Sequence, residues 1–227
     1  MLVVDVHGES FNIKDKSRFD TFWKLINSNR WEFDTYQSFN LFLEKDKTSI
    51  DFGAWCGVTT LYMARKSKSV IAFEPIPSLF QELKSNVVNN NMTNVKLFNK
   101  AIWKKNGFSK MSEKKSRDDS TFSIGSGNVK YNTMSVKVFL DQLTDDVNFI
   151  KMDIEGAEEQ VLPLMADYIK KNKITLNLSL HQQFSKNVNY LMQMYDCIKH
   201  FPHIYVVGEH GDVVICTYSD KKMRHWR

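Results

Sequence analysis

The tightest constraint on this chain lies between Ser49 and Pro75, which reads S-I-D-F-G-A-W-C-G-V-T-T-L-Y-M-A-R-K-S-K-S-V-I-A-F-E-P. A short apolar run passes through an acid and two glycines follow, four residues apart. A helix-like segment leads into a second apolar run that ends in Glu74. The pattern predicts a strand over 48–52, a turn over 51–57, a helix over 58–66 and a strand over 70–73. Gly53 lets the chain turn without a Cβ clash, and Gly57 lets a ligand or the strand approach the helix. The helix amino end offers unpaired N–H groups to a carboxylate or other anion. A unit of this kind binds a nucleoside-bearing ligand across the carboxyl ends of neighbouring parallel strands.

The rest of the chain extends the same alternation. With 227 residues, 42% hydrophobic and 25% charged, it has material for one α/β domain or at most two small ones. Residues 1–47 are expected to form a largely helical cover: a short strand over 2–6, a turn at His7-Gly8, and helices over 17–27 and 34–43. The link Trp31-Glu32-Phe33 reads as packing. A domain over 48–220 follows, and 221–227 is a basic tail. Inside the domain the expected helices are 79–89, capped by Ser78, 157–170, kinked or started by Pro163, and 187–199. Further strands are expected over 94–99, 148–154 and 174–180. Residues 104–128 read as irregular or hairpin structure, 133–138 lead into a short helical turn, and a hairpin turns around 208–212. The sum is a doubly wound, mostly parallel sheet with an antiparallel terminal hairpin.

Two strand tips indicate the ligand. A nicotinamide fingerprint, G-x-G-x-x-G, leaves room for pyrophosphate at its second glycine. Trp55 stands at that position, which argues against a dinucleotide and a dehydrogenase. Glu74 offers two acceptor oxygens to the paired hydroxyls of a ribose. S-adenosylmethionine, a ribose with a charged amino-acid end, suits both. The candidate contacts are Asp51, Gly53, Ala54, Trp55, Gly57 and Thr59 around the turn, with Glu74 and Pro75 at the second tip.

The chemistry is expected elsewhere. In K-M-D-I-E-G-A-E, strand alternation puts Lys151, Asp153 and Glu155 on one face. Three charges there are tolerable only at the open end of a buried strand, where ligands bind. Lys151 is placed to pair with Asp153, and Glu155 or Glu158 to cap the following helix. His181 directly follows the apolar run 174–180. Asp153 and His181 are candidates for a general base, or jointly for a divalent-cation site. Cys56, Cys197 and Cys216 are scattered and show no zinc spacing, so a reduced, cytoplasmic protein is expected. Cys56 reads as a spectator thiol, and the lysines of 104–117 as a solvated loop. Neither a leader nor a membrane span is read in the chain. A net charge of +5 is too mild for a nucleic-acid footprint.

Together D-F-G-A-W-C-G, F-E-P, F-L-D-Q-L, F-I-K-M-D-I-E-G-A-E-E-Q-V-L and L-S-L-H resemble the FkbM-type branch of the class I S-adenosylmethionine-dependent methyltransferases. The likeness runs from about Glu32 to His181. It implies the Rossmann-like seven-stranded sheet with a reversed terminal hairpin, and methyl transfer to oxygen. The implied acceptors are small-molecule or glycan hydroxyls, above all those of sugars. It further implies that Gly53 and Gly57 form the cofactor turn, that Glu74 meets the ribose and that Asn99 and Ala101 cradle the adenine. Asp153 and Glu155 match the family's acidic strand end. Many relatives carry Asn where this chain has Trp55. The competing expectations are a nucleic-acid methyltransferase and a non-catalytic cofactor-binding module.

Overall fold

The computed structural model describes residues 2–14, 20–29, 31–113, 122–124, 129–208 and 211–223. Its strands are β1 Leu2–Val6, β2 Glu9–Ile13, β3 Thr48–Phe52, β4 Ser69–Phe73, β5 Val95–Phe98, β6 Ala101–Trp103, β7 Gly107–Glu113, β8 Phe122–Ile124, β9 Val129–Ser135, β10 Val147–Met152, β11 Thr175–Ser179, β12 His203–Val207 and β13 Val213–Thr217. Its helices are α1 Asp20–Ile26, α2 Phe33–Phe42, α3 Val58–Lys66, α4 Pro77–Asn89, α5 Val136–Gln142, α6 Glu158–Lys171 and α7 Tyr190–Ile198.

Seven strands form the central sheet in the order β12-β13-β11-β10-β3-β4-β5. From β11 to β5 all neighbours are parallel, whereas β13 runs antiparallel to both β11 and β12. The expected sheet and its terminal hairpin are both present. All five residues of β3 are buried, as a strand covered on both faces requires. Alternation then sorts side chains between two cores. Val70 and Ala72 join the core of α2, α3 and α4, while Ile71 and Phe73 join that of α5, α6 and α7.

The same alternation places Asp51, Lys151 and Asn177 side by side, because Lys151 is in register with both Asp51 and Asn177. This polar row lies on the face covered by α2 and α3. Asn177 Nδ2 donates to Ser38 Oγ of α2 at 3.2 Å.

Several elements differ from the expectations. The amino-terminal cover includes a hairpin, because β2 pairs with β1. The outer side of β2 is satisfied by asparagines at the end of α4: Asn12 N donates to Asn90 Oδ1 at 2.8 Å and Lys14 N to Asn86 Oδ1 at 3.1 Å. The part of the first helix before Asp20 lies outside the described residues. The polar stretch 104–128 holds the antiparallel pair β7–β8, the hairpin alternative of the reading, and these strands join β9 and β6 in a separate sheet ordered β6-β9-β7-β8. Residues 114–121 and 125–128 lie outside the described residues.

Two helix starts also depart from the reading. Ser78 is not the cap of α4: the helix begins at Pro77, with Ile76 in the cap position and no side-chain cap bond. Proline suits a first turn, where an N–H would be unpaired anyway. Nor does Pro163 start a helix; α6 runs through it from Glu158. The missing N–H of Pro163 frees the Glu159 carbonyl, and Gln193 Nε2 of α7 donates to it at 2.7 Å. The basic tail begins docked, with Met223 buried and Lys221 Nζ bonded to the Leu41 carbonyl at 2.9 Å. Trp226 lies outside the described residues.

Gly57 adopts φ +100°, and a Cβ on it would lie 2.9 Å from Leu83 Cδ1 of α4. Its smallness therefore serves helix packing. We expect Gly57→Ala to cost roughly 1–3 kcal/mol, read as a lower urea midpoint; an unchanged midpoint would refute this packing role.

Candidate active site

The carboxyl ends of β3, β4, β10 and β11 open into one cavity of about 880 Å³. Its floor is the glycine turn. Gly53, at φ +86°, is squeezed between two strand tips, since a Cβ there would fall 1.8 Å from the Asp153 carbonyl oxygen. The N–H groups of Gly53 and Ala54 both donate to the Phe73 carbonyl, at 3.1 and 2.9 Å. Trp55 follows at φ 50°, the left-handed region that Asn tolerates and a bulky residue rarely adopts.

Glu74 closes the turn from the other side. Its Oε2 accepts from Trp55 N at 2.9 Å and its Oε1 from Ile76 N at 2.8 Å. The side chain lines the cavity. Burial pushes its pKa up to about 7 against the lowering pull of those two N–H donors. Ala54, Trp55, Thr59, Pro75 and Ala101 line the cavity with it.

Three expected contacts stand behind the wall. Asp51 is wholly buried and accepts from Thr59 Oγ1 at 2.8 Å and Thr60 Oγ1 at 2.6 Å, tying β3 to the first turn of α3. Gly57 packs on α4. Asn99 turns its amide to the carbonyls of Glu74 and Pro75, at 2.8 and 3.1 Å, and so braces the turn. None of the three is among the residues lining the cavity.

The acidic end gathers the other expected residues. Lys151, 2% exposed, points its Nζ between Asp153 Oδ2 at 3.3 Å and Asp51 Oδ1 at 3.8 Å. Burial alone lowers an ammonium pKa, but Asp153, Asp51 and Glu32 outweigh it and hold Lys151 above its ordinary value. Burial likewise acts to raise Asp153, yet Lys151 and His181 hold its carboxyl below the usual range. His181 Nε2 lies 3.6 Å from Asp153 Oδ1 and 3.6 Å from Glu155 Oε2. Its Nδ1 lies 2.9 Å from Oε1 of the buried Glu158. That oxygen also accepts from Ile154 N at 3.0 Å and so pins the preceding turn; neither Glu155 nor Glu158 caps α6 as expected, because Ala157 holds the cap position with no side-chain bond. The ring stacks on Phe184, with centroids 5.8 Å apart.

The amino-terminal segment completes the cavity with Phe22, Leu25, Trp31 and Glu32. Phe22 meets Trp31 and Trp55 edge to face, at centroid distances of 5.0 and 4.4 Å. Sequence reasoning missed Glu32, whose pKa burial raises to about 7. The only signal was its place in W-E-F, between aromatic residues.

A parallel sheet of this order, with its ligand cavity at the carboxyl ends and a reversed terminal hairpin, is the Rossmann-like fold of the class I methyltransferases. The chain belongs to the methyltransferase FkbM domain family, whose pattern matches residues 51–210. That match starts after the expected Glu32 and extends beyond His181 through β12. Among solved structures the chain is similar to methyltransferase FkbM from Methylobacillus flagellatus KT, with TM-score 0.55 and 16% identity over 91% of this chain and 56% of that one. The chain thus spans little more than half the length of that relative. It is also similar to an rRNA methylase from Streptococcus thermophilus (TM-score 0.49, 8% identity, 82% of this chain and 95% of that one). A third likeness is to Aeropyrum pernix fibrillarin in complex with S-adenosyl-L-methionine (TM-score 0.46, 8% identity, 78% and 67%). No curated protein sequence matches the chain.

Two predictions follow from the charges. Lys151→Met leaves Asp51 and Asp153 buried without their cation and should cost about 3–5 kcal/mol in urea unfolding; a midpoint equal to wild type would exclude the network. Glu74 has a folded pKa raised from 4.5 to about 7. Its contribution to stability is full below about pH 4.5 and lost as pH rises through about 7. Gln does not titrate, so Glu74→Gln should cost more stability at pH 5 than at pH 8. Equal costs at the two pH values would contradict the raised pKa.

Proposed function

We propose that this chain is an S-adenosylmethionine-dependent O-methyltransferase that methylates a hydroxyl of a sugar or glycan in the cytoplasm. One observation carries the reading: a single cavity joins the glycine turn and Glu74 to the acidic cluster at Asp153 and to a wall of aromatic rings. Its volume of about 880 Å³ accommodates a nucleoside cofactor together with an acceptor.

The residues fit that cofactor. Glu74 would meet the ribose, Pro75, Ile76, Leu79, Ala101 and Ile102 the base, and the turn Gly53–Trp55 with Thr59 the amino-acid end. When bound, S-adenosylmethionine supplies a sulfonium methyl whose S–C electron pair returns to sulfur on transfer. The chain's own task is to hold the acceptor oxygen in line, so that its lone pair forms the new O–C bond, and to draw its proton toward the carboxylates of the cavity.

Charge supports the choice of ligands. Glu32, Asp34, Glu74, Asp153, Glu155 and Asp212 line the cavity against Lys100, Lys151 and His181. The ionised carboxylates of this lining, Asp153 held below its usual range among them, favour a sulfonium cation over a phosphate backbone. The rings of Phe22, Trp31 and Trp55 offer flat apolar faces to the C–H faces of a sugar. Among the described residues no helix is long and apolar enough to cross a membrane. All three cysteines are free, as a reducing compartment requires.

The test is calorimetry with S-adenosylmethionine, followed by a labelled-methyl assay on parallel panels of sugars, glycans and RNA with mass spectrometry of the products. Saturable binding of the cofactor and a methyl ether on a sugar hydroxyl are expected, with Phe22→Ala raising KM for the acceptor while cofactor affinity holds. Methyl appearing on RNA instead would establish the nucleic-acid alternative, and no cofactor binding would end the enzyme reading.

A further inference from the structure

The acidic end of the cavity leaves a buried carboxylate oxygen without a hydrogen-bond partner among the described residues. Glu158 Oε1, fully buried, lies 2.9 Å from His181 Nδ1. A carboxylate only accepts, so Nδ1 carries the proton and donates it. Nε2 then faces Asp153 Oδ1 and Glu155 Oε2, each 3.6 Å away, which is too far for a hydrogen bond. Glu155 Oε2 is buried and has no hydrogen-bond partner among the described residues. Buried polar atoms without partners are uncommon, and a bound ion is one way to satisfy them.

The backbone is shaped to present this set. Glu155 and Gly156 both take positive φ, 56° and 92°, in the turn that follows β10. A non-glycine residue held there costs about 1–3 kcal/mol unless its surroundings hold it. Glu158 pins the same turn through Ile154 N while it orients the imidazole. Lys151 occupies the other oxygen of Asp153, Oδ2, and leaves Oδ1 turned to the histidine.

We propose that Asp153 Oδ1, Glu155 Oε2 and His181 Nε2 bind one divalent cation, with Glu158 orienting the histidine. The three atoms lie within 4.8 Å of one another. Ligand polyhedra with metal–ligand distances of about 2.1 Å have edges of about 3.0–3.4 Å, so the two edges from Nε2, 3.6 Å each, need to close by only a few tenths of an ångström. Two carboxylates and one imidazole suit Mn2+, Fe2+ or Zn2+ and leave positions open toward the cavity. A carboxylate behind a ligating histidine is the usual orienting partner. The inference rests on the methyl-transfer reading for its purpose: an acceptor hydroxyl in an open position would be held in place and made easier to deprotonate.

The test strips the full chain with chelator and titrates it with Mn2+, with and without S-adenosylmethionine, reading the free-ion signal by electron paramagnetic resonance. One Mn2+ per chain is expected. Glu155→Gln and His181→Gln should weaken binding at least about tenfold, and Glu158→Gln by about 10–100-fold. Asp141→Asn, an exposed control, should leave it unchanged. Thermal melts identify any variant that fails to fold, and the turn variant Glu155→Gln then carries the test. Absence of uptake, or uptake undiminished by Glu155→Gln, overturns the site. Calorimetry on the same samples separates the two readings: cofactor binding without Mn2+ uptake removes the cation alone, whereas Mn2+ uptake without cofactor binding leaves the site and removes the methyl-transfer reading.

Discussion

Lys151 carries an ammonium into the middle of the sheet, and the geometry around the cavity is arranged by what neutralises it. Removing such a charge from water costs several kcal/mol, and only close carboxylates with further hydrogen bonds offset that cost. Asp51 and Asp153 supply them from the neighbouring strand and from the end of β10 itself. Each has a second task. Asp51 holds Thr59 and Thr60 and thereby the start of α3. Asp153 presents its backbone carbonyl to Gly53 and its other carboxylate oxygen to His181. One buried cation therefore ties the glycine turn to the acidic end, which are distant in sequence.

What was readable in the sequence follows from this. The central strands were legible because strands buried on both faces must be short apolar runs, and charges break those runs only at the open ends. Lys151, Asp153 and His181 were found that way. Asp51 and Gly57 were read at the turn and Asn99 at the adenine, yet none of the three lines the cavity: the spacing of a motif identifies the residues that build a turn without telling which of them face a ligand. Strand β2 was not legible, because besides its pairing with β1 its outer side is met by Asn86 of α4 and by Asn90 just past that helix, far along the chain. Glu32 was hidden for a related reason. Between two aromatic residues it resembles packing, and only the docking of α2 on the polar row brings it into the field of Lys151.

The boundary between the shared family core and the rest of the chain runs through the cavity. The matched region begins at residue 51, yet Phe22, Leu25, Trp31 and Glu32 contribute a wall. Trp55 joins the two. Its backbone sits in a conformation suited to Asn, the residue many relatives are expected to have there, and its indole instead meets Phe22 edge to face at 4.4 Å. An aromatic pair contributes about 0.5–1.5 kcal/mol beyond the area it buries, comparable to the cost of the strained backbone. A bulky residue unfavourable within the turn alone is thus accommodated once the cover segment is in place, so the two have to be understood as one unit.

The sign of the charge changes between the surface and the cavity. The whole chain carries +5, whereas six carboxylates line the cavity against two lysines and one histidine. Of those lysines Lys151 is already neutralised by Asp51 and Asp153. Exposed charges are screened beyond about 8–10 Å at physiological salt, but those at the low-dielectric strand tips are screened much less. This gathering of carboxylates is a consequence of placing those that hold Lys151, the turn and His181 at the same edge of the sheet.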